Sequence, residues 1–158
     1  MKTAVIYTSK HGTTEKVAKT IKREMESGDV TLFDLRKNKN VDIFYYDQVI
    51  IGGSIHAGGI PKRLKKFMEK NMDSLLEKPL GLFLCCMYEE EAQAQFEIAF
   101  PDPLKTHARS TKCVGGEFLF EKMNFIEKAM VKKIAGTETS VSRLDDQKIN
   151  ELINDMHQ

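Results

Sequence analysis

The stretch Val5-Ile6-Tyr7-Thr8-Ser9-Lys10-His11-Gly12-Thr13-Thr14-Glu15-Lys16-Val17-Ala18 carries the residue types and spacing best suited to chemistry in this chain. A short apolar run stops at a hydroxyl- and glycine-rich turn that leads into an amphipathic helix. Such a turn makes a phosphate site: free backbone N–H groups converge where the helix starts, its dipole favours an anion, and Ser and Thr hydroxyls add neutral donors. Gly12 lets the backbone curl close to a ligand with no Cβ in the way. The same residues also read as an ordinary helix cap, and the segment alone leaves both readings open. Two common nucleotide loops are excluded. A Walker loop needs Lys-Ser/Thr directly after its last glycine, where this chain has Thr13-Thr14, and a dinucleotide fingerprint needs three spaced glycines where there is one.

Loop one resembles the first loop of the flavodoxin family, in which a hydroxyl-x-x-Gly-x-Thr run after the first strand wraps the phosphate of FMN. Ser9, Gly12 and Thr14 match that pattern, and His11 stands where many members carry threonine, which removes one hydroxyl but leaves a backbone N–H. The resemblance implies that Thr8, Ser9, Lys10, His11, Gly12, Thr13 and Thr14 bind the cofactor phosphate.

A second cluster reads Gly52-Gly53-Ser54-Ile55-His56-Ala57-Gly58-Gly59-Ile60-Pro61. Its glycines, at a strand end, imply backbone brought against something flat or bulky, more than a structural turn needs. In the family this loop covers one face of the isoalloxazine ring, which implies contacts from Ser54, Ile55, His56, Ala57 and Gly58. His56 offers the loop's one ring, or else is a solvent-facing turn residue. A third strand-end segment carries Cys86, Met87 and Tyr88, expected at the ring's other edge; Tyr88 either stacks on the ring or packs under the following helix.

The elements that must position these loops alternate between strand and helix, which argues for a parallel sheet covered by helices on both faces. Strands are predicted at Thr3 to Tyr7, Val30 to Phe33, Gln48 to Gly53 and Leu80 to Cys86, with a fifth inside Lys112 to Phe120. Helices are predicted from Thr14 to about Met25, ended by Gly28; from Pro61 through Leu75; from Glu89 to about Phe100, stopped by Pro101 and Pro103; from about Lys122 to Ala135, capped by Gly136; and from Asp145 to Met156. The expected fold is α/β, a flavodoxin-like doubly wound sheet of five parallel strands in the order 2-1-3-4-5, built as a single domain over residues 1–158. In that order the first and third strands are neighbours, so loops one and two meet in space.

Composition narrows the partners. A chain of 158 residues with a formal charge of +1 gives no reason to expect nucleic acid, and no apolar run reaches the ~18 residues of a membrane span. The N-terminus runs directly into a strand, with no signal peptide expected. Cys85, Cys86 and Cys113 have no zinc spacing and read as buried free thiols in a reducing cytoplasm. Lys62, Arg63, Lys65, Lys66 and Lys70 form either a solvated helix face or a docking surface for anionic partners, a carboxylate-bearing substrate or an anionic membrane surface.

The resemblance extends along nearly the full chain. Ile-Gly-Gly-Ser-Ile-His at 51–56, the Pro61 helix with Phe67, and the tail from Met130 to Thr139 are similar to the flavodoxin-domain branch that includes the bacterial flavin-dependent protoporphyrinogen oxidases. Two roles are implied by it: an electron carrier between redox partners, or an FMN-dependent oxidoreductase of the protoporphyrinogen oxidase or quinone reductase type acting on a small organic donor or acceptor. A phosphate-accepting signalling domain of the same fold would need strand-end aspartates, and Tyr7-Thr8 and Gly52-Gly53 stand in those places.

Overall fold

The computed structural model describes residues 1–25, 28–56, 58–136 and 139–158. Its centre is a parallel sheet of β1 (Lys2–Tyr7), β2 (Asp29–Asp34), β3 (Gln48–Ser54), β4 (Leu80–Cys85) and β5 (Ser110–Cys113), in the order β2-β1-β3-β4-β5. The expected order is therefore the observed one.

Alternation along β1 divides the interior in two. Ala4 and Ile6 face one core, with Leu64, Phe67 and Met68 of α2 (Lys62–Lys70), Leu75 of α3 (Met72–Leu76), Phe96 of α4 (Glu89–Ala99) and Leu104 of α5 (Asp102–His107). Val5 and Tyr7 face the other, with Val17 and Ile21 of α1 (Thr13–Glu24) and Ile149, Leu152 and Met156 of α7 (Asp146–Met156). Period-2 patterning in a strand buried on both sides, met by helices of period 3.6, produces these two layers.

The departures from expectation are local. The helix after Pro61 breaks at Asn71, whose side-chain amide donates to the Phe67 carbonyl at 2.8 Å and ends α2, so α3 starts anew. Pro103 does not stop the chain but occupies the first turn of α5, where a missing N–H costs nothing. α1 ends at Glu24, ahead of Gly28, whose φ is not positive.

The region expected to contain the fifth strand divides. β5 ends at Cys113, and Gly115, at φ +76°, turns the chain out of the sheet; a Cβ there would lie 1.9 Å from the Arg143 carbonyl oxygen. Beyond it, β6 (Glu117–Phe118) pairs antiparallel with β7 (Val141–Ser142), and between them lie a 3-10 turn (Phe120–Lys122) and α6 (Phe125–Ala135). Gly136, at φ +66°, caps α6 as expected. This excursion, residues 115–143, leaves the sheet and returns before α7.

Candidate functional site at the C-terminal strand ends

The sheet register brings the candidate loops together. Tyr7 pairs with Gly52, and Ser54 pairs with Cys85, so the chain leaves β1, β3 and β4 at adjacent points on one edge. Loops one and two touch: the rings of His11 and His56 lie 5.8 Å apart, edge to face. His56 is tied to its own loop by Ser54 Oγ at 3.0 Å from Nε2 and by paired backbone bonds with Gly59. It is thus half-buried against loop one instead of facing solvent. Burial, reinforced electrostatically by His11 and Lys10, holds its pKa below the ordinary histidine value. Gly58 has φ +80° with open space around it; Ala57 lies outside the described residues.

Loop one has the features of an anion site. Gly12 precedes α1 at φ +99°, and no side chain caps that helix. The Gly12 N–H donates to Ser9 Oγ at 3.1 Å, which leaves the Ser9 hydroxyl proton free for an acceptor. Thr8 Oγ1 is buried and has no hydrogen-bond partner among the described residues. A cleft of about 600 Å³ opens here, where Lys10, Arg36, Lys37, Arg63 and Lys122 outnumber Glu15 and Asp34. Arg36 Nη1 also donates to the Ser9 carbonyl, which braces the loop from behind.

Thr13 and Thr14 open α1 and are buried. Thr14 turns inward toward Cys85: burial pushes that thiol up to about 12, and its hydrogen bond with Thr14 offsets part of the rise. Burial likewise raises the pKa of Tyr7 to about 12.

At the third loop, Cys86 is buried and donates to the Tyr88 carbonyl and to Gln95 Oε1. Tyr88 has an aromatic neighbour across the loop. Its ring meets Phe118 of β6 at 6.2 Å, edge to face, while Met87 and Gly116 approach backbone to backbone. A larger cleft, about 740 Å³, lies elsewhere, between α2 and the connection after β2, and is lined by Lys39, Arg63, Lys66 and Lys70 among others. Arg63 is not only solvated: it donates to the Arg36 carbonyl at 3.2 Å.

Residues 115–143 add groups that the sequence did not single out. Glu127 reaches back to loop one, with Oε2 2.6 Å from His11 Nε2 and Oε1 3.3 Å from Lys10 Nζ. Burial would raise its pKa, but hydrogen bonds from His11, Lys10 and the Asn124 N–H outweigh it and hold the carboxyl low. The Glu117 side chain is shielded from solvent, paired with Lys16 at 3.1 Å through Oε2, while Oε1 has no partner among the described residues. No periodicity marks either glutamate; only the excursion's return over loops one and three brings them in. Among the described residues no group of three or more His, Cys, Asp or Glu is placed to hold a metal ion, and no helix is long and apolar enough to cross a membrane.

A five-stranded parallel sheet in this order, with its loops gathered at one edge around an anion-receptive helix start, defines a flavodoxin-like protein. The model of the flavodoxin domain matches residues 4–144, and the chain belongs to that family. Among solved structures it is similar to a short-chain flavodoxin associated with a PDU bacterial microcompartment, at 14% identity and TM-score 0.67, covering 99% of this chain and 97% of that one. Oxidised flavodoxin 1 from Bacillus cereus matches at 16% identity and TM-score 0.55, covering 99% and 95%. A Fusobacterium nucleatum flavodoxin bound to flavin mononucleotide matches at 12% identity and TM-score 0.55, covering 70% and 68%. No curated protein matches the chain in sequence.

Proposed function

We propose that this chain is a single-domain, FMN-binding redox protein of the cytoplasm that carries electrons between redox partners. The observation that carries this reading is the start of α1: an uncapped helix N-terminus behind Gly12, in a cationic cleft, with the buried Thr8 hydroxyl lacking a partner among the described residues. A phosphate ester satisfies all three at once. The donor set fits FMN better than a dinucleotide, because the sequence has no three-glycine fingerprint for a pyrophosphate. The Fusobacterium flavodoxin's bound flavin mononucleotide is in keeping with this assignment.

Residues Thr8 to Thr14 would hold the phosphate through backbone N–H groups and hydroxyls, since the Lys10 and His11 side chains are engaged by Glu127. Ser54 to Gly58 and Cys86 to Tyr88 would flank the ring. When bound, the isoalloxazine supplies the one- and two-electron redox chemistry. The protein's part is to position the ring, exclude water and supply electrostatics; burial pushes the Cys86 thiol up, keeping it protonated beside the ring.

One observation favours a second reading, an FMN-dependent oxidoreductase of the protoporphyrinogen oxidase or quinone reductase type. Residues 115–143 contact loop one through Glu127 and loop three through Phe118, forming a wall beside the site that a small organic substrate would use and a carrier's exposed edge would not need. Anaerobic reduction of the FMN-loaded protein, followed by reoxidation with a redox protein, quinones and porphyrinogen, separates the two. Faster reoxidation by a protein acceptor supports the carrier; saturable turnover of a small molecule supports the oxidoreductase. Absence of flavin absorbance after reconstitution, or riboflavin binding as tightly as FMN, overturns the phosphate assignment.

A further inference from the structure

The excursion over residues 115–143 adds little to the interior. None of the eleven residues of α6 is buried, and Ile126, Met130 and Ile134 form an apolar stripe that faces outward. What the segment does reach is loop one, along a path pinned twice. β6 pairs with β7, with the Phe120 N–H donating to Ser140 Oγ at 3.0 Å, and further on Glu127 holds His11 and Lys10. Between these anchors the 3-10 turn Phe120–Lys122 is closed by the Lys122 N–H on the Leu119 carbonyl at 2.9 Å. It carries the Lys122 side chain to the start of α1, where Nζ stands 3.1 Å from the point that a Cβ on Gly12 would occupy. Glycine at position 12 thus permits φ +99° and also leaves room for an ammonium group against the backbone that opens the helix.

The other charged groups of this cleft have engagements of their own. Lys10 is on Glu127 at 3.3 Å, Arg36 on the Ser9 carbonyl, and Arg63 on the Arg36 carbonyl at 3.2 Å. Of the two carboxylates, Glu15 is ion-paired with Lys19 at 2.9 Å and Asp34 accepts the Arg36 N–H at 2.9 Å. Lys37 lies on the β2 side, its N–H on the Asp34 carbonyl. Glu121 is exposed on the same turn as Lys122, and Glu138 lies outside the described residues. Position, not the want of a partner, singles out Lys122: its ammonium stands at the helix start, where the dipole and the free N–H groups already favour an anion. A phosphate monoester brings about 1.5–2 negative charges to that point near neutral pH, which neutral donors alone do not balance.

We infer that Lys122 is the counter-charge to the FMN phosphate and sets the preference for FMN over riboflavin, supplied to loop one from the excursion instead of from the loop's own sequence. This rests on the reading that loop one holds the phosphate. Glu127 acts through it as a positioning residue: it fastens the excursion to loop one and draws the Lys10 and His11 side chains to itself, which leaves the approach over Gly12 to Lys122. Riboflavin has the same ring and no phosphate, so it gives the ammonium nothing to bind.

The test is titration of the full-length apoprotein with FMN and with riboflavin, followed by flavin fluorescence at low and high salt. Lys122→Gln should weaken FMN binding about five- to tenfold and riboflavin binding less than about twofold, with the melting of the apoprotein unchanged. Lys122→Arg keeps the charge and should recover most of that loss. Lys133→Gln, the same change of charge near the exposed far end of α6, should alter either affinity by less than about twofold. The advantage of FMN over riboflavin should shrink as salt rises in the wild-type protein, and shrink less in Lys122→Gln. A preference for FMN that Lys122→Gln leaves intact overturns the inference while the phosphate site in loop one stands. Equal losses for both flavins, or Lys122→Arg binding as weakly as Lys122→Gln, overturn it as well, because the charge is then not what acts. A wild-type protein that binds riboflavin as tightly as FMN overturns the phosphate reading itself, and the role of Lys122 with it.

Discussion

Glu127 Oε2 lies 2.6 Å from His11 Nε2, although the two residues are 116 positions apart in the chain. This contact, with Lys10 on the other carboxylate oxygen, fastens α6 to the loop that opens α1. The side chains are only partly shielded, so Glu127→Gln should cost roughly 0.5–1 kcal/mol or less of global stability. Its larger effect should be local. Amide exchange in residues 120–135 should accelerate while the central sheet stays protected, since the other tether, the capping box, also uses Glu127. Unchanged exchange in that segment would show that the latch holds nothing.

Loop one should separate phosphate from ring binding. Thr8→Val removes a buried hydroxyl that has no partner among the described residues and should cost about 1.5–3 kcal/mol of FMN affinity, with riboflavin affinity nearly unchanged. Gly12→Val should do worse, because φ +99° is strained for a β-branched side chain and its Cβ would stand 3.1 Å from Lys122 Nζ. Thr14→Val, with its hydroxyl turned to Cys85, should act on folding as well. Fluorescence titration with both flavins reads the outcome, and equal losses for FMN and riboflavin with Thr8→Val would count against a phosphate contact.

Gly52 and Phe83 are register partners on β3 and β4, and the Phe83 ring covers the glycine. A Cβ on Gly52 would lie 1.9 Å from Phe83 Cζ, inside a ring that is 0% exposed. Gly52→Ala should therefore destabilise by at least about 1–3 kcal/mol. Adding Phe83→Leu should recover part of that loss, giving a favourable coupling of roughly 0.5–3 kcal/mol in urea melts. Additive losses would mean that the clash is relieved elsewhere.

Acid should weaken the fold through His56. Its folded-state pKa lies below the ordinary 6.5, because of burial and then His11 and Lys10. The unfolded chain takes up the proton first, so stability is full above about pH 6.5 and falls as pH drops from there toward the folded-state pKa. Glu127, held below its ordinary 4.5, extends the loss at lower pH. Thermal melts from pH 7.5 to 5 should show a falling midpoint, and His56→Gln should flatten the upper part of that fall. A midpoint that rises on acidification would contradict it.

The three thiols should be inert in the native state. Burial pushes Cys85 to about 12 and Cys113 to about 11, and raises Cys86 as well. A disulfide reagent at pH 7 should label none within minutes and all three in guanidinium. Rapid native labelling of Cys86 would reveal a thiolate beside the third loop.

The strands, the helices and the three strand-end loops were legible in the sequence because each rests on local physics, while the sheet order followed from the resemblance to the flavodoxin family. Period-2 and 3.6-residue patterning, Pro at helix starts and Gly at φ-positive turns act over a few residues, and Val49-Ile50-Ile51 or Gly12 declare themselves wherever they occur. The chain beyond Cys113 was not legible in the same way. Lys112 to Phe120 has strand-forming residues on both sides of Gly115-Gly116, yet Gly115 packs against the Arg143 carbonyl, 28 positions on, and turns the chain out of the sheet. Tyr88 shows the same limit: its residue type marks a ring on a strand-end loop, and only the returning excursion supplies Phe118 as its neighbour. The outward apolar stripe of α6 has the helical period of a core-facing helix, so pattern alone assigns it to the interior. Periodicity specifies that a helix has an apolar face; what that face meets is decided by where the chain has already placed its other elements, and here α1 and α7 had covered one side of the sheet and α2 to α5 the other.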